Sequence, residues 1–171
     1  LSSIDGHFRI NDYYSENINS KSLENIMNRL SDNQYLESYS LYTEDYAMIK
    51  VNNQSEGVMV YGVESEKILD IFDIKFEPLY FQNGEIPIII GGKLADVYNL
   101  DLGDSFFLFD IAEIDNANFK AAKVRVSHIF NSGFPEYDKI VCFMPLKNTN
   151  IFFDYISSST GIIGKVKNPL E

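Results

Sequence analysis

The sequence is poor in the residues from which most catalytic and metal sites are built. Its 171 residues include one cysteine, two histidines and no tryptophan. Cys142 has no partner for an intramolecular disulfide, so cysteine usage does not identify a redox compartment; its apolar run IVCFM predicts a small buried side chain. His7 and His128 are both flanked by residues of predicted strands, and His7 has no second histidine or acid cluster at ligand spacing. These shortages disfavour a histidine- or cysteine-based site.

Familiar catalytic motifs are also missing. The chain contains no GxSxG, HExxH or CxxC motif and neither GxGxxG nor GxxxxGK[ST]. Gly91-Gly92 follows a predicted strand and opens a predicted helix, as in anion sites at helix N-termini, but two glycines are a weak signal and a tight turn is the better interpretation. Nearby carboxylates such as Glu64/Glu66 or Asp101/Asp104 do not become an acid and a base by proximity in sequence. We therefore predict a non-enzymatic domain without catalytic residues, cofactor or metal.

Long apolar runs and positive charge are scarce as well. No run approaches the ~20 apolar residues that a membrane-spanning helix needs. Twenty-five acids against 14 lysines and arginines give a net charge of -11, which disfavours binding to nucleic acid and to anionic lipid headgroups. With 45% hydrophobic residues, the chain has the composition of one compact domain or two small subdomains. Because it starts at Leu1 without a leader-like segment, we expect a piece of a longer protein.

The patterns that are present predict an α+β fold with mixed or antiparallel sheets and short helices. Leu23, Ile26, Met27 and Leu30 share one face of a helix, with Ser20 or Ser22 as its N-cap and Asp32-Asn33 at a left-handed exit. Alternation predicts strands at 6–14, 36–43, 46–51 and 58–63, with Thr43-Glu44-Asp45 separating the second from the third. A short amphipathic helix is predicted at 64–72, and Pro78 confines the run 76–81 to an edge or an irregular segment.

The stretch Pro87–Phe109 is predicted to organise the rest of the chain. It reads as a buried strand at Ile88–Ile90, a short helix after the two glycines, a turn at Leu102-Gly103-Asp104 and a second strand at 105–109. Beyond it we predict a solvated acidic loop at 110–121, which lacks the central glycine and terminal glutamate of a calcium loop. The last predicted elements are a strand at 123–130 with Val124, Val126, His128 and Phe130 on one side, an aromatic loop at 131–138, a strand at 140–144, a helix at 146–155, a flexible link at 157–160 and a strand at 161–167.

Five segments, in order, resemble the extracytoplasmic domain of LolC/LolE/MacB-type ABC-transporter permeases, which are FtsX-like permeases. They are GHFRI, EGVMVYGVESE, IIIGGKLADVYNLDLGDSFFLF, VRVSHIFNSGFPEYDKIVCFMPLKNTNIFF and TGIIGKVKNPLE. Together they extend over almost the whole chain, from about His7 to Pro169. The resemblance differs in two places: residues 111–121 are shorter than the hook by which LolC recruits LolA and lack its prolines, and Asn168-Pro169 stands where the family usually has Asp-Pro.

The resemblance implies a non-catalytic domain on the periplasmic side of the inner membrane. It implies a porter-like part from 1–74 and 156–171, expected to be incomplete at its C-terminus because family domains usually continue through another helix, and a β-rich, sabre-like part from 75–155. The parent permease would pair with a second permease subunit and a cytoplasmic ATPase. The FPEYDK segment favours lipoprotein release, with a periplasmic chaperone or lipoprotein as partner; the alternative is MacB-like export with a periplasmic adaptor.

Two loops are the predicted partner contacts, through Glu113, Asp115 and Asn118 in the acidic loop and Phe134 and Tyr137 in the aromatic loop. The competing interpretation of the two aromatics is that they cover the core between strands. A different class of function also stays open. The Leu-x-x-Gly-Asp turn before a strand occurs in double-psi barrels, so a closed barrel with a cleft lined by His128 and acids would indicate a ligand-binding or hydrolase domain.

Overall fold

A computed structural model describes residues 6–72, 85–112, 120–155 and 158–167. These residues form a mixed α+β fold, as the sequence predicts. In chain order the elements are β1 (Phe8–Asn11), β2 (Ile18–Asn19), α1 (Ser20–Ser31), β3 (Leu36–Val51), β4 (Gln54–Val63), α2 (Ser65–Phe72), β5 (Ile86–Gly91), α3 (Gly92–Tyr98), β6 (Ser105–Asp110), β7 (Ala121–Phe130), α4 (Pro135–Ile140), β8 (Val141–Pro145), α5 (Leu146–Phe152), β9 (Ser158–Ser159) and β10 (Gly161–Val166).

The long strand β3 closes the main sheet into a barrel. Along one edge β3 pairs with β4 from Tyr42 to Val51. Along the other edge its first half pairs with β10, and its residues Ala47–Lys50 pair with β6. The pairings β4–β8, β8–β5, β5–β7 and β7–β6 complete a ring of six strands. Closure gives each of these strands a neighbour on both sides, although residues 43–46 of β3 and 54–58 of β4 pair on one side only.

Alternate residues of all six strands fill the barrel interior, as the period of two requires. Helices α3 and α5 add side chains to the same cluster, and because they follow the antiparallel strands β5 and β8 they lie at opposite ends of the barrel. We call these the α3 end and the α5 end. The fully buried interior residues include Ile49, Val60, Ile88, Ile90, Leu94, Leu108, Val124, Val126 and Met144.

Outside the barrel, α2 lies beside β3 and β10 and packs its apolar side chains on the outer face of β4, β8 and β5, which we call the covered wall. Phe72 of α2 packs on Phe143 of β8 with ring centroids 4.7 Å apart, and Tyr61 stacks on the same ring at 5.8 Å. Ile68 and Ile71 of α2 belong to this cluster too. The amphipathic helix predicted at 64–72 is confirmed, and its apolar face buries the wall.

Helix α1 covers the other part of the sheet, where β1, β10 and β3 pair. Its apolar face packs on Ile162, as its spacing predicts. The predicted cap is wrong: the Asn19 side chain accepts a hydrogen bond from the Ser22 backbone N–H at 3.0 Å, so Asn19 is the N-cap. The C-terminal end of α1 does not adopt the predicted left-handed conformation either, because its C-cap residue Asp32 has φ -89°.

A bulge in β7 corrects the predicted alternation. Ile88 pairs with Val126 but Ile89 pairs with His128, so Ser127 is an extra residue and its hydroxyl donates to the Ile88 carbonyl oxygen at 3.0 Å. After a bulge the side chains exchange faces. Val124 and Val126 therefore point into the barrel, whereas Phe130 joins the cluster outside it.

Three further boundaries differ from the predicted ones. Strand β3 runs unbroken through Thr43-Glu44-Asp45, which pairs with β4. Residues 135–140 of the predicted aromatic loop form α4. Within the predicted link at 157–160, Ser158 and Ser159 form β9 and pair with β2. The predicted run 76–81 lies outside the described residues, and the division into porter-like and sabre-like parts stays a prediction.

The first and last strands meet at the side remote from the α3 end. The His7 backbone N–H donates to the Gly164 carbonyl oxygen at 2.7 Å, and Val166 pairs with Leu36 at the start of β3. From Leu36, β3 runs in the same direction as β5, towards the α3 end. Residues 6–8 and 164–167 therefore lie side by side at one end of β3, and the α3 end lies at the other.

Candidate protein-contact surface

The structure separates the aromatic turn from the base of the acidic loop, the two segments in which the sequence predicts partner contacts. Glu113, Asp115 and Asn118 lie outside the described residues. Their segment joins β6 to β7, where the Asp110 backbone N–H donates to the Lys120 carbonyl oxygen at 3.1 Å. Phe134 follows the opposite end of β7. A ten-residue strand is roughly 30 Å long, so the aromatic turn and the base of the acidic segment do not form one site.

Phe134 stands on a hydrogen-bonded turn at the α3 end. It caps α4 at its N-terminus and is 56% exposed. Its backbone N–H donates to the Ser132 hydroxyl oxygen at 2.9 Å, and Gly133 adopts φ +85°, which favours glycine. The side chain is thus held out into solvent by a hydrogen-bonded backbone, and we call residues 131–134 the Phe134 turn.

The buried side chain of Asp138 organises this turn from below. Asp138 is 5% exposed, and both of its carboxylate oxygens accept from the Ser132 backbone N–H, at 3.0 and 3.2 Å. The Asp138 backbone N–H in turn donates to the Phe134 carbonyl oxygen at 3.0 Å. Sequence reasoning missed Asp138, although an acid in the first turn of a helix after proline is a recognisable signal.

Gly91 and Gly92 both lie in close contact with this same segment. A Cβ on Gly91 would lie 2.1 Å from the Asp138 carbonyl oxygen, and one on Gly92 would lie 2.2 Å from the Asn131 side-chain oxygen. Gly91 has φ -75°, an ordinary extended value. The two glycines therefore let the segment 131–138 pack directly against the junction of β5 and α3.

Tyr137, the second predicted aromatic, is partly buried and packs against the core. Its ring packs edge-on against Phe130 with centroids 6.3 Å apart, within the cluster outside the barrel. For Tyr137 the competing interpretation, a residue covering the core, fits this packing. Phe134 is the one of the pair whose side chain is mostly available to a partner.

A polar network borders the turn at the α3 end. The Lys139 ammonium of α4 lies 3.1 Å from a carboxylate oxygen of Glu56 on β4, and the same oxygen accepts from the Tyr98 hydroxyl of α3 at 3.3 Å. Burial and the Glu56 carboxylate raise the pKa of Tyr98. The network connects α3, α4 and β4.

The groups that could support catalysis are dispersed. Burial raises the pKa of the Cys142 thiol to about 12, which keeps it protonated inside the barrel. Burial lowers the pKa of His128, whose register partner Ile89 belongs to the cluster outside the barrel. In the part of the chain that the structure describes, no three His, Cys, Asp or Glu side chains gather as a metal site would require. A closed barrel is present, but its interior is packed with apolar side chains rather than opened as a cleft lined by His128 and acids.

The chain is similar to known proteins in its fold, whereas its sequence matches none of the families or curated proteins compared. Among solved structures, the periplasmic region of MacB from Actinobacillus actinomycetemcomitans matches with a TM-score of 0.62 at 14% identity, over 99% of this chain and 78% of that one. The extracellular domain of the ABC-type transporter YknZ from Gram-positive bacteria matches with a TM-score of 0.58 at 11% identity, over 94% and 81%.

The chain has the fold of extracytoplasmic ABC-permease domains. The resemblance inferred from the five sequence segments is thereby confirmed at the level of the fold. At 11% and 14% identity, the structural match supports a shared architecture but assigns no binding-site residues. Within the described ranges of this permease-domain fold, none of the helices has the length and apolarity to cross a bilayer.

Proposed function

We propose that the chain is the extracytoplasmic domain of an ABC-transporter permease and that it contacts a partner protein through the Phe134 turn. The fold is the observation that carries the first part, because the similar solved structures are periplasmic and extracellular transporter domains. The permease would work with an ATPase on the other side of the membrane. The domain then has a positioning and binding role, and the chemistry of transport takes place elsewhere.

The placement of the chain ends supports this proposal. The first and last described residues are paired at one end of β3, as the backbone hydrogen bond from His7 to Gly164 shows. A domain joined to a membrane protein through both ends would then point its α3 end away from the bilayer. The Phe134 turn lies at that far end, where a soluble partner has access.

For the cargo, two candidates rest on different observations. The FPEYDK segment favours lipoprotein release, in which the partner would be a lipoprotein or a periplasmic chaperone that carries it. The likeness to the periplasmic region of MacB favours export through a periplasmic adaptor. The gene next to the permease separates them, since an adaptor gene there would contradict lipoprotein release.

The contact is tested by photo-crosslinking in the parent permease. A photoreactive phenylalanine analogue replaces Phe134 in one variant and Tyr35 in the other. Tyr35 is a matched control because it is also an exposed aromatic, at 69%, and lies beside the chain ends, where its carbonyl oxygen accepts from the Lys167 backbone N–H. We expect a discrete adduct from position 134 and none from position 35.

The proposal for the turn fails if both positions give the same adducts or if position 134 gives none in cells with active transport. Identification of the adduct by mass spectrometry then distinguishes an adaptor from a lipoprotein or its carrier. A separate protease-accessibility assay in right-side-out spheroplasts tests the placement of the domain. Protection of the domain in intact spheroplasts would contradict an extracytoplasmic location.

A further inference from the structure

The outer face of β3, β6 and β7 carries two ordered rows of side chains. In one row Lys50 pairs with Phe107, and Phe107 pairs with Lys123 on the next strand. In the neighbouring row Met48 pairs with Phe109, and Phe109 pairs with Ala121. We call the outer face made by these six residues the open wall.

Strand β6 is apolar on both of its faces, which distinguishes it from a half-solvated strand. Phe106 and Leu108 point into the barrel and are buried. Phe107 points outward and is 50% exposed, with its ring centroid 6.4 Å from that of Phe109. An antiparallel strand with one solvated face normally alternates apolar with polar residues. The aromatics on the outer face are therefore in excess of what the fold of the barrel needs.

The open wall has a recess beside these aromatics. Gly57 of β4 pairs with Met48, and a Cβ on Gly57 would meet no atom within 4 Å. A groove of about 590 Å³ runs along the wall and is lined by Lys50, Phe107, Phe109 and Ala121 among others. Side chains of an extended or helical segment could enter such a groove beside the Phe107 ring.

The charge of the open wall indicates which kind of partner segment it could bind. Lys50 and Lys123 are exposed on either side of Phe107, and among the described residues neither forms an ion pair. They stand on a chain whose net charge is -11. A pair of lysines flanking an aromatic on an otherwise acidic molecule is complementary to a segment with apolar side chains between acidic ones.

We propose that the open wall binds an acidic, apolar segment of a partner protein, with Phe107 as the anchor and Lys50 and Lys123 as the charge-selecting residues. An anionic membrane is a poorer fit, because two lysines attract headgroups only weakly and the rest of the domain is repelled. A second copy of this face is poorer still, since lysines would approach lysines. The surface is distinct from the Phe134 turn, so its test can fail while the proposed function stands.

Peptide binding to the ¹⁵N-labelled 171-residue chain tests this proposal. Two twelve-residue probes share the same leucine and phenylalanine positions, and one carries glutamates where the other carries lysines. We expect the acidic probe to shift backbone resonances at residues 48–50, 107–109 and 121–123 and to bind at least about tenfold more tightly than the basic probe. Phe107→Ser should weaken binding of the acidic probe about tenfold, as removal of an anchor does.

Charge reversal distinguishes charge-selective binding from nonspecific hydrophobic binding. In the double variant Lys50→Glu/Lys123→Glu the preference should invert, so that the basic probe binds more tightly. Tyr35→Ala serves as a control at another exposed aromatic, which is 69% exposed and lies beside the chain ends, and should leave binding of the acidic probe unchanged. Circular dichroism of each variant confirms that the fold is retained.

Several outcomes would overturn the proposal. They are equal binding of the two probes, resonance shifts located elsewhere, and an unchanged preference after charge reversal. Binding of the chain to phosphatidylglycerol vesicles that is lost in Phe107→Ser would assign the wall to a membrane. Dimerisation that is lost in the same variant would assign it to a second copy.

Discussion

The covered wall and the open wall of the barrel both carry outward-facing phenylalanines, but these side chains lie in different environments. On the covered wall, Phe143 points out of β8 and is fully buried, because Phe72 of α2 packs on it at 4.7 Å. On the open wall, Phe107 points out of β6 and half of its side chain meets solvent. The difference is the presence of a helix, not the composition of the strand. A barrel of this kind can therefore keep one aromatic outer face for packing and offer another for binding.

The largest effect is expected at the covered wall. Phe143→Ala should lower the free energy of unfolding by about 3–5 kcal/mol, because it removes a buried aromatic and leaves a cavity beneath α2. Urea denaturation followed by circular dichroism measures this loss. Phe143→Leu, which retains most of the apolar volume, should cost clearly less. A loss below about 1 kcal/mol for Phe143→Ala would show that α2 does not cover this wall.

A close approach at the end of β5 gives the second largest effect. Gly91→Ala should lower the free energy of unfolding by about 3 kcal/mol, the upper part of the usual range for overpacking. The new Cβ would meet the Asp138 carbonyl oxygen at 2.1 Å, and backbone atoms cannot yield as a flexible side chain does. Gly57→Ala is the matched control, since its Cβ meets open space. Equal stability of the two variants would contradict the packing of α4 against β5.

His128, on the same strand as Lys123, should produce a smaller effect that depends on pH. Burial holds the pKa of His128 below its ordinary value of about 6.5, so the unfolded chain takes up this proton more readily than the folded one. Stability should therefore fall as the pH decreases below about 6.5 and be fully present above it. Denaturation midpoints at pH 7.5 and pH 5 should differ more for the unmodified chain than for His128→Gln. The same pH dependence in both would exclude this cause.

The smallest effect should be at the open wall. Phe107→Ala is expected to change the free energy of unfolding by no more than about 0.5 kcal/mol, because exposed substitutions rarely do more. The same urea series measures it, with Phe106→Ala as the control on the inward face of the strand. Phe106 is buried in the barrel, and its removal should cost about 3–5 kcal/mol. Similar losses for the two neighbours would mean that the outward ring is also needed for folding.

The sequence predicted the features that depend on residues close together in the chain. The face of α1 and the strand–glycine–helix order at 88–98 are confirmed, as is the turn at Gly103, which adopts φ +88°. Each depends on neighbours a few residues apart, which a sequence displays directly. Fold class followed from the same alternation of short strands and helices.

Features created by distant partners were not predictable in this way. Thr43-Glu44-Asp45 suggested a break in β3, but these residues pair with β4, and the Glu44 carboxylate accepts from the Arg9 guanidinium, 35 residues away, at 3.0 Å. The extra residue at Ser127 reverses the faces of β7 and is visible only in its pairing with β5, where the Ser127 hydroxyl donates to the Ile88 carbonyl oxygen. The pairing of β3 with β6, which closes the barrel, joins residues about 60 positions apart and has no local signature.

The exposure of the candidate contact residues could be predicted only in part, for the same reason. An aromatic in a proline-containing loop indicated exposure at Phe134, and the structure places it at the surface. The same reasoning could not distinguish Tyr137, whose position depends on Phe130 across the fold. Phe107 and Phe109 were included only as members of an apolar strand, since a sequence does not show which outer faces a helix will cover.

Native-state hydrogen exchange of β6 tests the central claim most directly, namely that β6 is an inner strand of a closed barrel and holds its outer aromatics in fixed rows. Strand β6 pairs with β3 on one side and β7 on the other, so the amides of Phe107, Leu108 and Phe109 should all exchange slowly. If β6 were an edge strand, alternate amides would face solvent and exchange at nearly the rate of an unfolded chain. Uniform protection is the result we predict, and an alternating pattern would contradict the closed barrel and the open wall together.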